Sequence, residues 1–236
     1  MSELVGGPGA LIAILAPAKE FVLLEFGYTV LTVKSVSRTY FYKSQLNLVS
    51  PQISSGCVRV KDLIDALYCC YSKTLIGFES ERLVVSCSEE SSIDFRCEIK
   101  TIDPEIVLVN WNGIGSDITS IGIDTEVLLT ALSQVYEKMT PVCSLSFSQD
   151  GIQVSRDSSC RVHIPCQLIQ ILAGQPLQGV TVNCSMKDVQ SLVGFLGVLG
   201  DVKTVMTIGE LGLKFERKFF CANLAIFELL TAGDTA

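Results

Sequence analysis

Apolar residues recur along this chain with two periods. Four segments carry the helical one: 9–21, 60–71, 124–139 and 186–199. In the second, Leu63, Ile64, Leu67 and Tyr71 follow an i, i+1, i+4, i+8 stripe, and Val127, Leu128, Leu132, Val135 and Met139 form a similar stripe in the third. Asp124 stands where an N-cap belongs. Pro17 lies inside the first pattern, where its missing N–H should kink or end the helix. Lys61-Asp62-Leu63 and Lys187-Asp188-Val189 read as one helix start used twice.

Between these segments the period is two, the mark of half-buried strands. Val142 to Phe147 alternates, Gln149-Asp150-Gly151 turns, and Ile152-Gln153-Val154 returns; Asp-Gly between alternating runs is a strong hairpin signal. Runs 75–78, 83–87 and 93–99 follow the second helix, and 205–208 and 213–216 follow the fourth. Helix starts lie ~50 to ~65 residues apart, the spacing of a repeated helix-plus-strands unit. The gap between the second and third units is longest and holds Asp103-Pro104 and the Asn/Gly-rich stretch 110–115. The expected fold is therefore α+β. Two similar domains, 1–102 and 123–236, flank a connector at 103–122, each with two helices packed on one face of an antiparallel sheet.

Composition narrows the function. With 236 residues, 48% hydrophobic and 18% charged, the chain folds. It has 18 basic and 25 acidic residues, a net charge of −7, which excludes a whole-surface grip on nucleic acid and leaves only a local basic lining. Ten cysteines without framework spacing read as reduced core residues. The apolar stretch 10–16 before Ala16-Pro17-Ala18 imitates a signal peptide, but no Lys or Arg precedes it and Glu3 occupies the n-region. No apolar run reaches the ~20 residues of a membrane span.

Candidate chemistry is sparse. Cys160-x-x-His163-x-x-Cys166 carries ligand types, yet strand alternation sends Cys160 and His163 to opposite faces, so no metal or other cofactor is expected. His163 is the sole histidine, and no G-x-S-x-G, phosphate-loop or H-E-x-x-H pattern is present, so no catalysis is expected either. Trp111, the single tryptophan, lies in an apolar connector with Val107, Val109 and Ile114, a segment either tucked into its own domain or offered to partners.

Taken together, helix 128–136 with the strand, Asp-Gly turn and strand of 143–154, the run Ser92-Ile93-Asp94-Phe95-Arg96 before the connector, and the final run 223–230 resemble the DNA sliding clamp superfamily. That superfamily takes in proliferating cell nuclear antigen, checkpoint clamp subunits and viral polymerase processivity factors. The resemblance implies a nuclear, ring-forming homo- or hetero-oligomer that encircles double-stranded DNA without reading sequence and tethers polymerases or repair proteins through short peptides. Its implied DNA contacts are Lys19, Lys61, Lys73, Lys138 and Lys187. The implied peptide site comprises Val33, Val36, Tyr40, Val107, Val109, Trp111, Ile114, Leu229 and Leu230, and the implied subunit contact comprises Ile93, Phe95 and Cys97 with Val162 and Ile164. A checkpoint-clamp subunit and a scaffold with no DNA role are the alternatives. The chain departs from the family in its short length, its Pro17 and its few basic residues.

Overall fold

The computed structural model describes residues 1–49, 53–71, 73–87, 94–106, 111–136, 141–177 and 179–231. Two units divide the chain. The first is Met1–Ser37, Tyr42–Asn110 and Lys218–Ala225; the second is Arg38–Phe41, Trp111–Arg217 and Ile226–Ala236.

In the first unit β1 (Ser2–Glu3) leads to α1 (Gly7–Leu15), which starts from left-handed Gly6 with a proline in its opening turn. The helix stops before Pro17, and Phe21, which the apolar pattern placed in the helix, instead opens a strand. The strands that follow are β2 (Phe21–Phe26), β3 (Val30–Val36), β4 (Tyr40–Asn47) and β5 (Ser54–Arg59). α2 (Val60–Tyr68) then precedes β6 (Thr74–Glu79), β7 (Arg82–Cys87) and β8 (Phe95–Lys100), and Pro104–Ile106 forms a single 3-10 turn. One antiparallel sheet has the order β1-β6-β7-β8, and β5-β2-β3-β4 form part of another. α1 and α2 pack together. Leu11, Ile14, Leu63 and Leu67 are fully buried, and the buried Tyr42 hydroxyl donates to the Ile14 carbonyl at 2.6 Å, so its polar tip is satisfied inside the core.

In the second unit β9 (Asp117–Asp124) runs into α3 (Thr125–Val135), where Asp124 is the N-cap: its carboxylate accepts from the Glu126 and Val127 amides at 2.9 and 3.3 Å. Then come β10 (Val142–Ser148), β11 (Gly151–Ser155), β12 (Arg161–Pro165), the 3-10 turn Cys166–Leu168, β13 (Ile169–Gly174) and β14 (Val180–Ser185). The β10–β11 hairpin turns at Gly151, whose φ of 138° and 2.1 Å approach of a would-be Cβ to the Ile164 carbonyl admit no side chain. α4 (Met186–Gly197) is capped by Ser185, which accepts from the Asp188 amide at 3.2 Å and donates to the Asp188 carboxylate at 2.5 Å. That carboxylate, 1% exposed, also accepts from the Thr39 hydroxyl at 2.7 Å. β15 (Lys203–Gly209), β16 (Gly212–Phe219) and β17 (Ala222–Leu230) complete the chain, residues Lys218–Ala225 of the last two belonging to the first unit. One sheet is ordered β12-β11-β10-β14, and β13-β9-β15-β16-β17 belong to the larger one. α3 packs on α4.

The α+β expectation is corrected by this count. Among the described residues seventeen strands stand against four helices of nine to twelve residues, in three antiparallel sheets of which one has nine strands. The protein is mostly β, and it is not a pair of domains with two helices laid on a sheet. The expected fourfold repeat fails in the same way, because β2 to β5 follow α1 whereas β6 to β8 follow α2, and β10 to β14 follow α3 whereas β15 to β17 follow α4. The physical reason is visible in β2: Val22, Leu23 and Leu24 are consecutive and all buried, and only Glu25, paired with Lys34, is polar, so the sequence shows no alternation. β5 and β13 are equally unlike a regular alternation, with sequences SSGCVR and IQILAG.

Candidate functional site

The antiparallel pairing of β2 with β5 sets Phe21 opposite Arg59, which brings residues 19–21 beside residues 59–61. The Val60 amide donates to the Glu20 carbonyl at 3.0 Å and fixes this junction. Lys19, Glu20, Arg59, Val60, Lys61 and Ile64 line a cleft of about 510 Å³. The Arg59 guanidinium carbon lies over the Phe21 ring, 5.9 Å from its centroid, within cation–π range. Three cations and one carboxylate therefore share a small apolar-floored depression, a chemistry suited to phosphate. Lys19 and Lys61 were expected from sequence to contact DNA. Arg59 was missed, although its spacing in Arg59-Val60-Lys61 is a readable signal.

Lys61 and Lys187 are each the second residue of a helix, exposed and followed by an aspartate. A cation there opposes the helix dipole by about 0.3–1 kcal/mol, so neither lysine is placed for the benefit of its helix. Lys73 is exposed just before β6, and Lys138 lies outside the described residues.

A second feature belongs to the second unit. The Trp111 ring stacks on Phe41 with centroids 5.9 Å apart and planes at 23°, and its indole N–H donates to the Glu228 carboxylate. Ile114, 4% exposed, is held by its carbonyl accepting from the Leu211 amide at 2.8 Å; a Cβ on Gly209 would come within 2.5 Å of that same carbonyl. Val33, Tyr40 and Leu229 are all fully buried and Val36 and Leu230 half-buried, so most of these side chains fill core. Tyr40 stacks on Phe227 at 5.5 Å. Val107 and Val109 lie outside the described residues. Of the residues assigned to peptide binding, the structure brings Trp111 to a half-exposed platform built with Phe41 and Glu228, neither of which the sequence pattern singled out.

The residues assigned to subunit contact fall on two strands that each end a four-stranded sheet. Phe95 and Cys97 are half-buried on β8, and Val162 is half-buried and Ile164 buried on β12. Ile93 lies outside the described residues. β8 also carries Arg96 and Glu98, paired with Glu79 and Arg82 at 2.7 and 2.8 Å. At the approach to β12, Asp157 accepts from the Ser159 hydroxyl and amide and from the Cys160 amide at 2.6, 2.7 and 3.0 Å, and these bonds pull its carboxyl down to about 2.

Cys160 donates to the Gln134 carbonyl at 3.7 Å, while His163 sits opposite Gln153 in the β11–β12 register. Among the described residues no group of three His, Cys, Asp or Glu is placed to hold a metal. Among the described residues no helix is long and apolar enough to cross a membrane. Burial raises the Cys57 and Cys143 thiols to about 11 and the Cys70 thiol to about 12. Compared with known proteins, the chain matches no family model and no curated sequence.

Proposed function

We propose that this chain is a DNA sliding clamp or polymerase processivity factor, acting without catalysis or cofactor, that tethers partner proteins to double-stranded DNA in the nucleus. One observation carries the reading. Lys61 and Lys187 occupy the same place on two helices, exposed, at the dipole end where a cation is unfavourable unless an external anion compensates it. In an acidic protein, phosphate contacts confined to such points give loose, sequence-independent association rather than a tight grip. The Lys19–Arg59–Lys61 cleft adds two neighbouring cations to one of them. The sheet-edge strands β8 and β12 support an oligomeric ring closed by strand pairing, and the Trp111–Phe41 platform supports capture of a short peptide.

The test is primer extension on a long primed template by a polymerase supplied with and without the chain. Longer products per binding event are expected. Unchanged product length would overturn the processivity role and favour a checkpoint-clamp subunit or a scaffold without a DNA role.

A further inference from the structure

We infer that β13 is a self-pairing edge, through which two copies of this chain associate by antiparallel β13–β13 hydrogen bonding. β13 ends the order β13-β9-β15-β16-β17, and its inner edge is engaged by β9 from Ile169 opposite Ile123 to Gly174 opposite Thr119. Among the described residues no strand pairs with its outer edge. An edge of this kind presents alternate backbone N–H and C=O groups, which template another strand unless charge, proline or covering structure blocks them.

Among the described residues β13 carries neither charge nor proline. No residue from Val162 to Met186 is Asp, Glu, Lys or Arg, although the chain is 18% charged. The strand and its approach expose Leu168, Ile171 and Leu172 at 49%, 50% and 48%. β8 shows the contrast, for it places exposed Arg96, Glu98 and Lys100 on its own edge. A bulge between Ile171 and Ala173 interrupts the pairing with β9, and it seats Leu172 over Gly122, where a Cβ would lie 3.6 Å from the Leu172 side chain. The bulge breaks the regularity of pairing within Ile169–Gly174, so the association is weak and concentration-dependent.

Charge selects the occupant. A strand built to capture an acidic or basic peptide would carry the opposite sign, and β13 carries none. In antiparallel self-pairing the residues at and beside the two-fold axis lie against their own copies or near neighbours, so a charge near the centre of the edge would lie close to a like charge across the pair. A neutral edge avoids that cost and adds no repulsion of its own between two molecules that each carry a net charge of −7. The Gln170 amide, both donor and acceptor, can bond its own symmetry mate.

Hydrogen exchange read peptide by peptide, over a wide range of concentrations of the full chain without DNA, tests this directly. Amides of 169–174 should gain protection as concentration rises, and sedimentation velocity should show the species doubling in mass over the same range. Ile171→Lys, at a half-exposed position, should abolish the protection and weaken association by at least about ten-fold, as a charged edge does. Leu172→Ala, which adds no charge, should retain both. Protection of 169–174 that does not change with concentration, or Ile171→Lys sedimenting like the parent, would overturn the inference. Protection confined to β8 and β12 would overturn it as well, and would leave the strand-closed ring standing.

Discussion

Replacing Lys61 and Lys187 together by alanine separates a DNA-facing role from a merely solvated one. Both side chains are exposed at the second position of their helices, so their removal opens no cavity and breaks no buried bond. Each lysine that meets one duplex phosphate contributes ~0.9 to the slope of log K against log salt. Two of them contribute about 1.8, so between about 50 and about 200 mM salt the parent should lose roughly ten-fold more affinity than the double variant. Sequence preference should not change, because phosphates carry none. The thermal midpoint should hold or rise slightly, since alanine relieves a cation at the positive end of each helix dipole. Fluorescence anisotropy on labelled linear and circular duplexes across a salt series measures the slope, and Lys61→Arg with Lys187→Arg should keep it. A double alanine variant whose salt slope matches the parent would refute the assignment of these lysines to DNA, whatever its affinity at one salt concentration.

Four further outcomes follow from the geometry. Asp188→Ala removes a buried carboxylate that serves Thr39 and Ser185, and should lower unfolding free energy by about 2 kcal/mol in urea titrations; an unchanged midpoint would sink that account. Gly209→Ala drives a Cβ to 2.5 Å from the Ile114 carbonyl, so it should destabilise the chain and shift the emission of Trp111, the single tryptophan. The Asp157 carboxyl sits below its ordinary 3.8, so its turn is stabilised above that pH and loosens as pH falls through about 2; the Ser159 and Cys160 amide resonances should titrate there and not in Asp157→Asn. With a thiol reagent near pH 8, exposed Cys69 and Cys166 should be modified before Cys57, Cys70 and Cys143, which burial keeps protonated and enclosed; equal rates would contradict the burial pattern.

Local chemistry alone determined several features. Asp124 caps α3 because its carboxylate reaches amides two and three residues on, Pro17 ends α1 because it has no N–H, and Asp150-Gly151 turns β10 into β11 because glycine admits the required φ. The start of α2 at Val60 and of α4 at Met186 is equally legible, since the same Lys-Asp-apolar start opens both stripes, although only α4 has a side-chain cap, Ser185. Strand content was not legible, because three consecutive apolar residues of β2 are buried and hide any alternation, and because its hydrogen-bonding partner β5 lies about thirty residues away in sequence. The same long-range pairing places Arg59 with Lys19, and tertiary packing alone carries Phe41 to Trp111 and sends Val33, Tyr40 and Leu229 into the core. A side chain's type and period set which element it joins. Whether it then faces solvent, a cleft or the core depends on strand register, and register is decided only when distant apolar faces are buried together.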